Sequence, residues 1–394
     1  MTEMLTAVLA QIAWPLALAW LAGEFGHRWL ALPRISSYGL AGFALAASQG
    51  GFLPDPAGGP AALLADVAFA LILFELGYRI NLGWLRANPW LLITGIAEAY
   101  LAFYAVFVVT QALAMPLLPA LLLSSIAMAT SPAAIVRVVN EERSSGQVSE
   151  RTLHLSAFNC VLSLVAFKAV VGYGVLSSAG SVLQALWSSL VVVLASAALG
   201  ALFGVLVPAL LRLLGGLARN ATVVFALAVL LLTALTDAVK LSPLLAALAF
   251  GLAARQRRVV LSQVQRNFGA LGDLLTVLLF VFVGALLDWR QALAGLTLAG
   301  AVVAARLAAK TLACALFARL SGVSWRKGAL TGLALTPLSA FAILLLEQTR
   351  HLGLALLDDV AGVMAVVLLL ELLGPLLTRW ALVWAGETRR REEA

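Results

Sequence analysis

Val302-Val303-Ala304-Ala305-Arg306-Leu307-Ala308-Ala309-Lys310-Thr311 lies in the middle of an apolar run over 291–318 and puts two cations where a lipid-facing helix has none. A basic side chain at the centre of a spanning helix costs about 2.5–3.5 kcal/mol on insertion scales. Arg306 and Lys310 stand one helical turn apart, so they share a face, and that face turns to protein, a partner or water rather than lipid. Lys168, deep inside a second apolar run, carries the same implication. The rest of the 26 Lys and Arg residues lie at or near the ends of apolar runs. Three interior cations point to a polar pathway through a membrane.

Composition sets the frame. Hydrophobic residues make up 62% of the 394-residue chain and charged residues 11%, with a mean hydropathy of +1.01. A soluble domain of this length needs more charge to cover its surface, so the expectation is an all-α polytopic membrane protein. Helices are expected rather than a barrel because runs of about 20 apolar residues recur, not alternating segments of about 10. The net charge of +7 is dispersed over short loops, which argues against a nucleic-acid partner. Cys160 and Cys314 both fall inside apolar runs, so no structural disulfide is expected. Nothing in the pattern calls for a cofactor, a metal or an enzyme's catalytic residues.

Thirteen spans are expected, near 5–23, 37–53, 61–80, 89–110, 117–139, 152–178, 182–211, 221–239, 242–255, 268–287, 291–318, 327–348 and 359–385. Alternate loops carry almost all the basic residues, from Arg28 and Arg34 through Arg137, Arg143 and Arg151 to Arg389, Arg390 and Arg391. The opposite loops hold only Lys240, Arg290 and Arg350. The positive-inside rule then puts the C-terminus in the cytoplasm and the N-terminus outside. The N-terminus lacks a basic n-region, so the first span is expected to be retained. Residues 1–385 form one transmembrane domain, and 386–394 a short cytoplasmic tail.

Two spans are interrupted. Span 5 contains Ala129-Thr130-Ser131-Pro132, and span 12 contains Thr331-Gly332 followed by Thr336-Pro337-Leu338-Ser339. Proline removes a backbone donor and clashes with the preceding turn, so Pro132 and Pro337 break or kink their helices. Backbone freed at membrane depth is tolerated where it lines a cavity, and it can coordinate a cation. Either break alone reads as an ordinary kink; the matched pair is the sequence pointer to a transporter site. In span 6, Ser156, Asn159, Cys160 and Ser163 fall at i, i+3, i+4 and i+7 and share one face. That face serves helix packing and ion binding equally well.

The interior carboxylates are Glu98 in span 4, Glu371 in span 13 and Glu75 toward the cytoplasmic end of span 3. Pairing of Arg306 with Glu98 or Glu371 is expected, since an unpaired buried charge is costly. A carboxylate left over from pairing is pushed one way by desolvation and the other by a neighbouring cation, which suits reversible protonation. His154, near a span end, reads as an interfacial side chain, and Asp66 and Asp273 as solvated.

In order and spacing the chain resembles the cation/proton antiporter superfamily, the sodium/hydrogen exchangers with the Kef-type transporters. The likeness is carried by Leu32-Pro33-Arg34-Ile35 and Tyr38-Gly39-Leu40-Ala41-Gly42 at the first join, and by Leu73-Phe74-Glu75-Leu76-Gly77 in the third span. It continues through Thr130-Ser131-Pro132-Ala133-Ala134, Ala305-Arg306-Leu307 and Glu371-Leu372-Leu373-Gly374-Pro375. The resemblance implies two inverted six-helix repeats, about 1–178 and 221–385, joined by a linker helix near 182–211. It also implies crossed discontinuous helices in spans 5 and 12, a mobile core of spans 4–6 and 11–13, and a dimerising panel. The cation would bind beside span 6, at the crossing.

This chain departs from the family at the centre. Where the family has Asn-Asp or Asp-Asp in span 6, it has Asn159-Cys160, and Ser131 stands in the Thr-Asp-Pro segment. A thiol, with an ordinary pKa of about 8.5, is neutral at pH 7 and is no substitute for a carboxylate toward a hard cation. The leading expectation is a bacterial inner-membrane secondary transporter exchanging Na+ or K+ for protons by alternating access, as a homodimer. Glu75, Glu98 or Glu371 would titrate, and Thr130, Ser131, Ser156, Asn159 and Cys160 would complete the site. The alternatives are a non-antiporting, channel-like or regulatory relative, and a small organic-anion transporter on the same fold.

Overall fold

Long runs without charge become helices because only a helix satisfies every backbone amide and carbonyl within its own segment when no water is at hand. The structure, a computed structural model, describes residues 2–30, 32–47, 50–51, 53, 60–176, 182–213, 221–257, 268–286, 290, 295–338 and 361–388. Its first eight helices are α1 Thr2–Trp29, α2 Arg34–Leu45, α3 Pro60–Arg79, α4 Leu82–Ala87, α5 Pro89–Ala112, α6 Leu117–Met128, α7 Pro132–Glu141 and α8 Gln147–Leu176. The remainder are α9 Val182–Leu213, α10 Ala221–Ala238, α11 Pro243–Gln256, α12 Gly269–Ala285, α13 Leu296–Leu316, α14 Trp325–Ala334 and α15 Ala361–Trp384. Among the described residues, seven helical segments, with α6 and α7 counted as one, are long and apolar enough to cross a membrane. Their outward faces are leucine-rich, as at Leu202, Leu206 and Leu210 of α9 and Leu227 and Leu231 of α10. So much contiguous apolar surface is tolerated only in lipid or in an interface.

The expected spans and the observed helices agree closely at α5, α10, α11 and α15. The second span is shorter than expected, ending at Leu45 where Ala46 turns extended. The later part of the expected span 12, from Ser339 on, lies outside the described residues.

Contacts sort the helices into two sets. In one, α11 packs on α9, α3 and α10, while α12 packs on α2 and α3 and α1 on α2. An aromatic cluster fills its middle, with Phe74 of α3 edge-on to Phe250 of α11 at 4.7 Å and beside Phe225 of α10 at 5.2 Å. In the other set α13 packs on α5, α14 and α15, and α6 packs on α5 and α8. The sets meet where α8 touches α9, α15 touches α2 and α3 touches α7.

Two glycines bring the second set close enough to build a site. A Cβ on Gly332 of α14 would lie 2.4 Å from Thr311 Cα and 2.6 Å from the Lys310 carbonyl, so only glycine allows α14 to lie directly on α13. Gly95 of α5 faces Leu155 and Phe158 of α8, which brings Glu98, one turn further on, to Asn159.

Candidate functional site: a buried cage at two helix breaks

The first break is as the prolines require. Helix α6 ends at Met128, residues 129–131 are extended, and α7 starts at Pro132 with Ser131 as its N-cap, the Ser131 hydroxyl accepting from Ala134 N. Helix α14 ends at Ala334, capped by Leu335 N on the Thr331 and Gly332 carbonyls, and Thr336, Pro337 and Leu338 follow outside the helix. The two breaks touch. Ser131 N donates to the Pro337 carbonyl at 2.7 Å and Thr130 Oγ1 to the Leu335 carbonyl at 3.2 Å.

Arg306 fills the space between the helix ends. It is fully buried, and its guanidinium donates to four carbonyls: Ala127 at 2.9 Å, Ala129 at 2.6 Å, Thr336 at 2.6 Å and Leu335 at 3.3 Å. These carbonyls stand at the C-terminal ends of α6 and α14, and that of Leu335 also accepts from Thr130 Oγ1. A helix C-terminus acts as about half a negative charge, so two of them together balance the guanidinium. The expected partner of Arg306 was a carboxylate, Glu98 or Glu371, and neither hydrogen-bonds or ion-pairs with it. The planar fork of Arg matches several converging carbonyls, and two helix ends neutralise it as well as an acid does.

Glu98 is taken instead by Lys310, one turn along the same helix. The ammonium lies 2.7 Å from Glu98 Oε2, 3.0 Å from the Met128 carbonyl and 3.3 Å from Thr130 Oγ1. Asn159 donates to Glu98 Oε1 and, at 3.0 Å, to Thr130 Oγ1, while its own Oδ1 is buried without a hydrogen-bond partner among the described residues. Cys160 completes this wall, its thiol donating to the Thr130 carbonyl at 3.4 Å. Lys310 therefore sits in a cage of oxygens, and all of its named partners are buried.

Of the expected site residues, Thr130, Asn159, Cys160 and Glu98 converge with Lys310. Ser131 is occupied as a cap beside them. Ser156 is on the right helix but donates to its own Leu153 carbonyl. Glu75 belongs to a separate cluster with Arg79 at 2.9 Å and Asn140 at 3.0 Å. Glu371 is buried on α15, facing α2, and bonds none of these residues. Lys168 is half-buried and has no bond to the cage. His154 accepts from Asn81 N at 3.1 Å outside the cage, and Asp273 is exposed beside Arg137. The Met128, Ala127 and Ala129 carbonyls could be inferred from the sequence only as unspecified freed backbone ahead of Pro132. Ser163, which donates to the Ser125 carbonyl, supports the same wall.

No curated protein sequence matches the chain. Among solved structures it resembles the sodium proton antiporter MjNhaP1 from Methanocaldococcus jannaschii. The likeness to the structure at pH 8 has a TM-score of 0.66 at 18% identity over 97% of each chain. To the 3D EM map it has a TM-score of 0.75 at 17% identity, over 97% of this chain and 96% of that one. The family described as sodium/hydrogen exchanger, transmembrane, matches residues 15–384. With nearly its whole length covered, the chain belongs to the sodium/hydrogen exchanger family.

Proposed function

We propose that this protein exchanges a monovalent cation, Na+ or K+, for a proton at the Glu98–Lys310 cage. The observation that carries this reading is that the Lys310 ammonium occupies an oxygen cage a small cation would suit. Glu98 Oε2, Thr130 Oγ1 and the Met128 carbonyl already coordinate a positive charge, and Asn159 Oδ1 is unspent beside them. Hard cations take oxygen ligands of this kind. Cation and protonated Lys310 compete for one carboxylate, so the cage accepts the cation when Lys310 gives up its proton. Arg306 does not enter the competition, because its charge is spent on the ends of α6 and α14. Its constant presence keeps those ends together in either state.

Family membership and the likeness to MjNhaP1 support antiport as the activity. The reading extends to thirteen spans in two inverted repeats, with a C-terminus on the cytoplasmic side of a bacterial inner membrane. It also includes alternating access, with the helix set of α5–α8 and α13–α15 moving against the rest, and a homodimer. Proteoliposomes holding the purified chain test it: sodium, potassium or lithium gradients should drive transient pH changes, lost in Lys310→Ala. A transient-free preparation of folded protein would reject exchange.

The second reading is uptake of a small organic anion. It is favoured by the missing span 6 acid and by the burial of two cations, Arg306 and Lys310, with a single carboxylate in the cage. Anion flux independent of sodium and potassium would select it.

Cys160→Asp separates the two. The new carboxylate would face the Thr130 carbonyl, where a bridging cation relieves the repulsion of oxygen by oxygen. Apparent Na+ affinity should rise about tenfold, the effect of ~1.4 kcal/mol. Concentration dependence of the pH transient measures it. Unchanged or weaker cation dependence would place the cation elsewhere.

A further inference from the structure

Glu371 is an interior acid that the cage leaves unused and that, unlike Glu75 with its Arg79, has no cation beside it among the described residues. It is 2% exposed, and neither carboxyl oxygen has a hydrogen-bond partner among the described residues. It lies at a meeting of the two helix sets, where α15 touches α2. A Cβ on Gly39 of α2 would stand 3.5 Å from Glu371 Oε1 and 3.9 Å from the Phe280 carbonyl of α12. Ser36, one turn before Gly39, carries another buried oxygen with no partner.

Among the described residues, the charged and titratable groups around this position do not reach it. On α13 and α14 these are Arg306, Lys310, Arg326 and Lys327, all with partners elsewhere. On α2 and α7 they are Arg34, Tyr38, Arg137 and Glu141; Arg34 bonds Glu24 and Glu141, and Arg137 bonds Asp273 of α12 and the Gly272 carbonyl. An ionised carboxylate with neither donor nor cation is the costliest occupant of such a place, so the neutral acid is the form that fits.

A cavity lies beside the helices that cover the acid. It has a volume of about 1110 Å³ and opens between α1, α2, α7 and α12, lined by Ile35 and Tyr38 on α2 and by Thr276 and Val277 on α12. Gly39 and Phe280, the residues over Glu371, follow those positions along the same helices. The two helices covering the acid are locked to each other. A Cβ on Gly42 would lie 2.1 Å from the Val281 carbonyl, and one on Gly284 2.0 Å from the Gly39 carbonyl. The contact of Gly39 with Glu371, by comparison, is ordinary van der Waals packing. A shift of α15 along a rigid α2–α12 pair would carry the carboxyl toward the cavity.

We propose that Glu371 is a second proton-binding site, independent of the Glu98–Lys310 cage, whose neutral carboxyl packs α15 against α2 and whose proton passes to cavity water when that contact opens. The O–H bond of the acid breaks, the proton leaves with water, and the carboxylate stays solvated in the cavity until it is reprotonated. The sign follows: the packed contact is favoured at low pH and lost as pH rises through the titration of Glu371.

Infrared spectroscopy and amide hydrogen exchange on the full chain in lipid nanodiscs test this without any need for transport. Wild type should show a protonated-carboxyl stretch at acid pH that disappears at alkaline pH. Glu371→Gln should lack that band, and Glu371→Asp should retain it at a shifted frequency. Protection of α2 and α15 amides, corrected for intrinsic chemistry, should fall several-fold from acid to alkaline pH in wild type and stay level in Glu371→Gln. A full-strength band in folded Glu371→Gln, no such band in wild type, or pH-independent protection in wild type would overturn the proposal. Failure here leaves the cage reading standing, and an inactive cage leaves this one measurable.

Discussion

Glu98→Ala is expected to destabilise the folded protein by about 3–5 kcal/mol, because it leaves the Lys310 ammonium buried with no counter-charge. Neither member of the pair is exposed to solvent. The loss should show as a lower unfolding midpoint in detergent and should end exchange. Lys310→Ala strands the carboxylate instead and should cost a similar amount, less if Glu98 takes up a proton. The double variant Glu98→Ala/Lys310→Met removes both charges, and apolar replacement of a buried pair is often neutral or better. It should recover most of the stability of either single variant and none of the exchange. Strongly non-additive stability in this cycle is the signature of a direct pair. Additive losses would mean that the two groups do not depend on one another.

Arg306→Ala carries the second large effect. Four carbonyls at two helix ends lose the guanidinium at once, the Leu335 carbonyl keeping only Thr130 Oγ1, and each hydrogen bond to a charged group contributes about 1.5–3 kcal/mol. Relaxation of the breaks recovers part of this, so a net loss of at least ~3 kcal/mol is expected. The side chain volume removed adds a cavity at the crossing. Arg306→Lys keeps the charge but not the fork, and should fall between wild type and alanine. Thermal unfolding of the three proteins gives the order directly. Equal stability of Arg306→Lys and wild type would show that charge alone joins α6 to α14.

How much of this could be read in the sequence differs between fold and site. The helical architecture was visible because each apolar run leaves the backbone no alternative, and Pro132 and Pro337 marked both breaks. Arg306 and Lys310 stood out because a mid-membrane cation is conspicuous whatever it binds. Their partners did not. Sequence spacing says that two side chains share a face of α13, but not that one reaches toward α5 and the other toward the ends of α6 and α14. The carbonyls of Ala127, Met128 and Ala129 have no side-chain signature, so a site built of backbone is invisible to residue-type reasoning. Ser156 had the right spacing and the wrong bond, because a serine inside a helix satisfies itself on its own preceding turn. Glu75 and Glu371 could not be told from Glu98 on composition alone; the helix each one faces decides its role.

The measurement that bears most directly on competition between cation and Lys310 is titration calorimetry of Na+ or K+ binding in buffers of different ionisation enthalpy. Competition for one carboxylate predicts release of about one proton per cation bound to wild type, with the two binding free energies linked. Lys310→Met should bind the cation with no such release, and Glu98→Gln should not bind it at all. Cation binding without proton release in wild type, or the same release in Lys310→Met, would contradict the mechanism.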